Sequence, residues 1–123
     1  MGLIRTKTFI KYARINLQDA EAALSASDYE VCARKVISCT DALIKAVAAA
    51  LPMVKADFFK MKRERFARNL EDLTDDTGTS SRITEAIFEA RRLALGDETG
   101  RSHVEKALGH AGAAFTALHE LFT

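Results

Sequence analysis

The feature that most limits the possible folds is a run of small and aliphatic residues at positions 28–51, DYEVCARKVISCTDALIKAVAAAL. Its apolar residues recur three and four positions apart, which predicts an α-helix. They form two adjacent stripes: Cys32, Val36, Cys39, Leu43, Ala46 and Ala50, and beside them Ala33, Ile37, Ile44 and Val47. An apolar face this wide must be covered by several neighbours. We therefore predict that this helix lies at the centre of a helical bundle.

Four further segments have helical periodicity, at positions 8–24, 54–73 and 81–95 and from position 103 onward. No segment has the alternating pattern of a β-strand. A length of 123 residues suits one domain. The sequence thus predicts an all-α, up-and-down bundle of about five helices, with residues 1–123 forming a single domain.

Residues at the helix ends predict where each helix starts and stops. Ser27 with Glu30, and Ser102 with Glu105, have the spacing of a capping box, so we expect a helix to open at each pair. Gly96 is expected to end the fourth helix in a left-handed conformation. Between the third and fourth helices, the polar stretch 74–80, TDDTGTS, predicts a surface loop.

The overall composition excludes several classes of protein. The net charge of +1 gives no global field to hold nucleic acid or an anionic membrane. No apolar run approaches the roughly 18 residues that span a bilayer, so we expect no membrane association and, without a signal-peptide pattern, a cytoplasmic location. Cys32 and Cys39 are expected to be reduced core residues. The three histidines are too dispersed along the chain to predict a metal site, and we expect no cofactor.

The highest density of charged residues lies in positions 55–68, KADFFKMKRERFAR, which contain six basic and two acidic residues. Three interpretations are open. The basic residues can form a solvated helix face, they can bind phosphate or nucleic acid, or Phe58 and Met61 among them can form a subunit contact.

Asp41 and Lys45 stand four apart at the edge of the broad apolar face. The simplest interpretation is an ion pair along one helix, worth a few tenths of a kcal/mol. A buried acid would instead require a specific partner from another element, because an unpaired charge in an apolar interior is costly.

The stretch 28–51 resembles the second helix of the HEPN family, named for higher eukaryotes and prokaryotes nucleotide-binding. In that family a tyrosine opens the helix, small residues follow, and an acidic residue precedes a lysine by four. Tyr29, Ala33, Asp41 and Lys45 occupy those places here. The stretch 90–115, ARRLALGDETGRSHVEKALGHAGAAF, is similar to the family's last third, in which an arginine leads through a short glycine-containing loop into an alanine-rich helix.

The resemblance implies a homodimer, often encoded beside a nucleotidyltransferase as a toxin–antitoxin or drug-modifying pair. Many members are metal-independent ribonucleases with a histidine four to six residues after an arginine. This chain departs from that spacing: after Arg91 and Arg92 those positions lack histidine, and after Arg101 the histidines fall at His103 and His110. Without a well-placed imidazole, acid–base cleavage loses its main agent.

Three hypotheses about function follow. The first is a non-catalytic HEPN-like dimer that binds a nucleotide or RNA, or serves as the accessory module of a nucleotidyltransferase. Its expected ligand-binding residues are Asp41, Lys45, Arg91, Arg92, Arg101 and His103. The second is a ribonuclease with a rearranged arginine–histidine site. The third is a structural interaction protein that associates through the apolar seam of the fifth helix or through Phe58 and Met61.

Overall fold

The structure, a computed structural model, describes residues 2–51, 63–96 and 100–123. These residues form five α-helices and no strand, as the sequence predicts. The helices are α1 (Gly2–Ser25), α2 (Tyr29–Ala50), α3 (Arg63–Thr74), α4 (Thr77–Leu95) and α5 (Arg101–Leu121). None of the described helices is long and apolar enough to cross a membrane.

The first two helices form an antiparallel hairpin. The hydroxyl of Thr6, near the start of α1, donates to the carbonyl of Ala46, near the end of α2, at 3.0 Å. At the turn, Ser27 adopts φ 60° and Asp28 caps α2 by accepting from the Val31 amide at 3.3 Å. The predicted capping box at Ser27 is therefore wrong by one residue, because Ser27 turns the chain and leaves the capping role to the aspartate.

The predicted loop at 74–80 is also wrong, because α4 already begins at Thr77. Asp75 takes a left-handed conformation (φ 54°), and the Asp76 carboxylate caps the new helix by accepting from the Gly78 amide at 3.1 Å. Two residues thus suffice to reverse the chain. The hydroxyl of Ser80, in the second turn of α4, donates back to the Ala67 carbonyl of α3 and joins the two helices.

The last connection corrects two further predictions. Gly96 has φ −67° and ψ 160°, so it ends α4 in extended rather than left-handed backbone. Gly100 is the N-cap of α5 and supplies no side-chain cap. The predicted box at Ser102 and Glu105 does not cap this helix, because the Glu105 carboxylate accepts a hydrogen bond from Arg101 instead.

The central position predicted for the second helix is confirmed, because α2 packs against α1, α4 and α5. Val36, Cys39 and Leu43 are completely buried on its face. On α4 the structure buries the whole predicted set: Ile83, Ala86, Ile87, Ala90 and Ala94. Small residues dominate these contacts, which lets the helix axes approach closely and leaves few large side chains to fill the core.

The apolar seam of α5 faces this same core. Val104, Ala111 and Leu118 are buried, while Leu108 and Phe115 are half-buried against the other helices. The seam is therefore packed against other helices of the same chain. Phe58 and Met61, the other predicted contact, lie outside the described residues, as does the basic segment up to Lys62. Of the basic residues that follow, Arg63 forms an ion pair with Glu85 of α4.

Candidate functional site

The expected ligand-binding residues lie on three helices. Asp41 and Lys45 are half-buried on consecutive turns of α2, and Arg91 and Arg92 lie near the end of α4. Arg101 and His103 occupy the first turn of α5. The two stretches that carry the family resemblance are thus placed side by side, because α2 packs against both α4 and α5.

Asp41 is held from a neighbouring helix. Its Oδ1 atom lies 3.6 Å from Nη2 of Arg91, and the two side chains are 37% and 38% exposed. At this exposure the pair is partly desolvated but still reached by solvent, so it anchors the acid without the full penalty of a buried charge. The ion-pair partner of this half-buried acid is therefore supplied by α4.

Arg92 points further into solvent than Arg91. It donates to Oε2 of Glu89, one turn earlier on α4, at 2.7 Å, while 71% of its side chain remains exposed. This hydrogen bond raises the pKa of Arg92 and lowers that of Glu89. Because a guanidinium has five N–H donors, the contact with one carboxylate leaves most of them directed at solvent.

A shallow depression adjoins these two arginines. It has a volume of about 370 Å³ and is lined by Phe88, Arg91, Arg92, Leu95 and Gly96. Leu95 is 63% exposed, and the Phe88 ring packs edge-on against the buried Phe66 of α3, with ring centroids 5.7 Å apart. The depression therefore combines two guanidinium groups with apolar surface from Phe88 and Leu95.

Arg101 contacts a different part of α2. It donates to Oε1 of Glu105 at 2.7 Å. Its pKa is raised first by Glu105 and to a smaller extent by the Tyr29 hydroxyl. Tyr29 and Asp41 are twelve residues apart, or about 18 Å along the helix axis. Arg91 and Arg101 thus approach α2 at separate points rather than one shared site.

The histidines on α5 do not gather into a centre. His103 is half-buried in the first turn, and His110 lies about two turns further along the helix. Among the described residues, no group of three or more His, Cys, Asp or Glu side chains is placed to hold a metal ion.

A second cluster, on α1 and α5, was not among the predicted site residues. Nη2 of Arg14 lies 3.1 Å from Nε2 of His119, and its guanidinium carbon lies 5.5 Å from the centre of the Phe115 ring. The Phe115 and His119 rings stack at 5.6 Å. The spacing of Lys7, Lys11 and Arg14 on one face of α1 was a usable signal in the sequence, whereas their meeting with His119 depends on the tertiary packing.

Comparison of the chain with protein-family models, with curated protein sequences and with solved structures found no match.

Proposed function

We propose that the chain is a non-catalytic HEPN-like helical module that binds a nucleotide or RNA as a homodimer in the cytoplasm. The observation that carries this proposal is the pairing of Asp41 with Arg91. It joins the acidic position of the first HEPN-like stretch to the arginine of the second. The contribution of Tyr29 to the pKa of Arg101 links the same two stretches at a second point.

The ligand surface in this proposal is the depression at the end of α4. A phosphate would accept hydrogen bonds from the outward donors of Arg92, since guanidinium groups match phosphate oxygens in a bidentate geometry. A base would lie against Leu95 and the exposed part of Phe88. The carboxylates of Asp41 and Glu89 nearly balance the charge of the two arginines, which favours moderate affinity over strong non-specific binding.

A nucleotidyltransferase is the proposed protein partner, and the resemblance is its basis. A module that binds nucleotide weakly by itself is suited to deliver or sense a ligand for an attached enzyme. The cytoplasmic location is supported by Cys32 and Cys39, which are both buried free thiols. The identity of the neighbouring reading frame is the simplest check on the partner.

The proposal is tested by titrating the purified chain with nucleoside mono-, di- and triphosphates and with a short single-stranded RNA at moderate salt. Saturable binding of at least one of them that weakens in Arg92→Gln, together with a dimer in sedimentation, supports it. If no ligand binds and a co-expressed nucleotidyltransferase does not co-purify, both ligand and partner are excluded.

The alternative function is ribonuclease activity, and the proximity of Arg101 and His103 within one turn favours it. The hydrogen bond to Glu105 works against this role, because the carboxylate offsets part of the positive charge that would stabilise a transition-state phosphate. Replacing both histidines, His103→Ala with His110→Ala, discriminates. Loss of RNA cleavage in that variant supports the enzyme, whereas no cleavage by the wild type supports the binding module.

A further inference from the structure

A second cleft lies between α1 and the end of α5, apart from the residues of the proposed function. It has a volume of about 370 Å³, which is within the size range of small-molecule sites. Its lining residues are Lys7, Ile10, Lys11, Arg14, His119, Phe122 and Thr123. Ile10 is buried and Phe122 half-buried, so the cleft has an apolar base beneath a cationic rim.

The three cations follow one face of α1. Lys7, Lys11 and Arg14 are spaced four and three residues apart, which places their Cα atoms about 6 Å and 4.5 Å apart along the axis. No acidic side chain lines the cleft. Like charges at this spacing repel one another in the absence of a counterion, and an anion bound between them would remove that repulsion.

These cations differ from the arginines near α4 in their partners. Arg91, Arg92 and Arg101 each contact a carboxylate. Within the described part of the chain, Lys7, Lys11 and Arg14 form no ion pair; the salt bridges there join other residues. No acidic side chain of the described residues thus pairs with the cations of this cleft, whereas each of those three arginines contacts a carboxylate.

The guanidinium of Arg14 is also held in place. Because arginine can only donate, Nε2 of His119 is the acceptor in the 3.1 Å contact. The Phe115 ring contacts the same guanidinium through a cation–π interaction. Neither contact neutralises the positive charge of Arg14, because neither His119 nor Phe115 is anionic. Arg14 is thus positioned at a fixed point with donors left for a ligand, which lowers the entropic cost of binding.

From this arrangement we propose that the α1–α5 cleft binds a small organic phosphate monoester. The phosphate dianion would lie between Lys7, Lys11 and Arg14, and its apolar or aromatic body would pack on Ile10 and Phe122. A dianion fits better than a carboxylate because three cationic side chains line the cleft and no acidic side chain does. The inference uses none of the residues of the proposed nucleotide or RNA surface.

Phenyl phosphate is a suitable probe, and its binding can be measured by isothermal titration calorimetry at moderate salt. The cleft predicts saturable binding of phenyl phosphate, competition by inorganic phosphate, and no binding of phenol, which lacks the charge. Lys11→Gln and Lys7→Gln are each expected to weaken the binding of phenyl phosphate roughly 10-fold, because each substitution removes a charge-assisted hydrogen bond. Both lysines are exposed, so these variants are expected to fold.

Lys106→Gln is the matched control, because Lys106 is exposed on α5 and does not line the cleft. It should bind phenyl phosphate like the wild type. The proposal is overturned if phenyl phosphate does not bind at millimolar concentration. It is equally overturned if Lys7→Gln and Lys11→Gln bind phenyl phosphate as tightly as the wild type does. The same holds if Arg92→Gln abolishes this binding while the two lysine variants retain it. Failure of RNA to bind the α4 surface leaves this outcome unaffected.

Discussion

Arg91 of α4 holds Asp41 of α2 through an ion pair of 3.6 Å between two half-exposed side chains. The pair fixes an acidic residue on the central helix of the bundle to a helix that starts 36 residues later. It also brings together the two stretches of sequence on which the proposed function depends. Its strength and its relation to ligand binding can be measured separately.

A double-mutant cycle should detect this pair. Asp41→Asn and Arg91→Gln are expected to couple by about 0.2–1 kcal/mol in urea unfolding, because solvent still screens both groups. The matched control pairs Asp41→Asn with Arg34→Gln, an exposed arginine on the same helix, for which additivity is expected. Additive free energies for Asp41 and Arg91 would mean that the pair contributes nothing to stability.

The seam of α5 should behave as core. Leu118 is completely buried, so Leu118→Ala is expected to lower the free energy of unfolding by about 2–5 kcal/mol. Glu120→Ala, on the exposed side of the same helix, should stay within about 0.5 kcal/mol of the wild type. If Leu118→Ala instead released monomers of unchanged stability in sedimentation, the seam would be a subunit interface.

The cap at Asp76 should make stability depend on pH. Hydrogen bonds from the Thr79 hydroxyl and the Gly78 amide lower the pKa of this carboxyl in the folded state. Its stabilising contribution is therefore fully present above its unfolded pKa of about 3.9 and is lost as the pH falls through the lower folded value.

The measurement for this cap is the melting temperature of the wild type and Asp76→Ala between pH 7 and pH 2. The wild type should be the more stable near neutrality, and the difference should shrink below about pH 4. Asp72→Ala, at an exposed position of α3, serves as the control and should keep the pH profile of the wild type. A difference that is constant across the range would show that the carboxylate charge plays no part in the cap.

Both cysteines should be inert in the native protein. Burial raises the pKa of the Cys39 thiol to about 12, and it raises that of Cys32 as well. At pH 8 only about one Cys39 thiol in 10,000 would be ionised. An aromatic disulfide reagent should thus titrate no thiol before unfolding and two after it in guanidinium. Rapid reaction of the folded protein would contradict the packing of α2.

The sequence predicted the buried faces better than the helix ends. On α2 and α4 the apolar residues recur at helical spacing along the whole helix, so they define a single apolar face that must be buried. At the ends, neighbouring residues compete for the same role: Ser27 and Asp28 are both good caps, and the backbone of the turn decides between them. The capping role of Asp76 was missed for a similar reason, because it lies in a polar run whose composition is also typical of a loop.

The candidate site was only partly accessible to sequence reasoning. Asp41 and Arg91 were each chosen individually, but their contact joins positions 50 residues apart and depends on the rotation of α4 against α2. The cluster of Arg14 and His119 joins positions even further apart in the chain. Spacing along α1 is enough to predict that its cations share one face, whereas the position of His119 opposite Arg14 depends on the tertiary fold.

The most direct test of the proposed function measures the affinity of a labelled single-stranded RNA for the wild type, Arg92→Gln and Lys106→Gln by fluorescence anisotropy. Arg92 is the better target than Arg91, because its substitution leaves the pair with Asp41 intact. We predict saturable binding that weakens about 5- to 100-fold in Arg92→Gln and is unchanged in Lys106→Gln. Equal affinity of all three proteins, or no binding by the wild type, would contradict an RNA-binding surface at the end of α4.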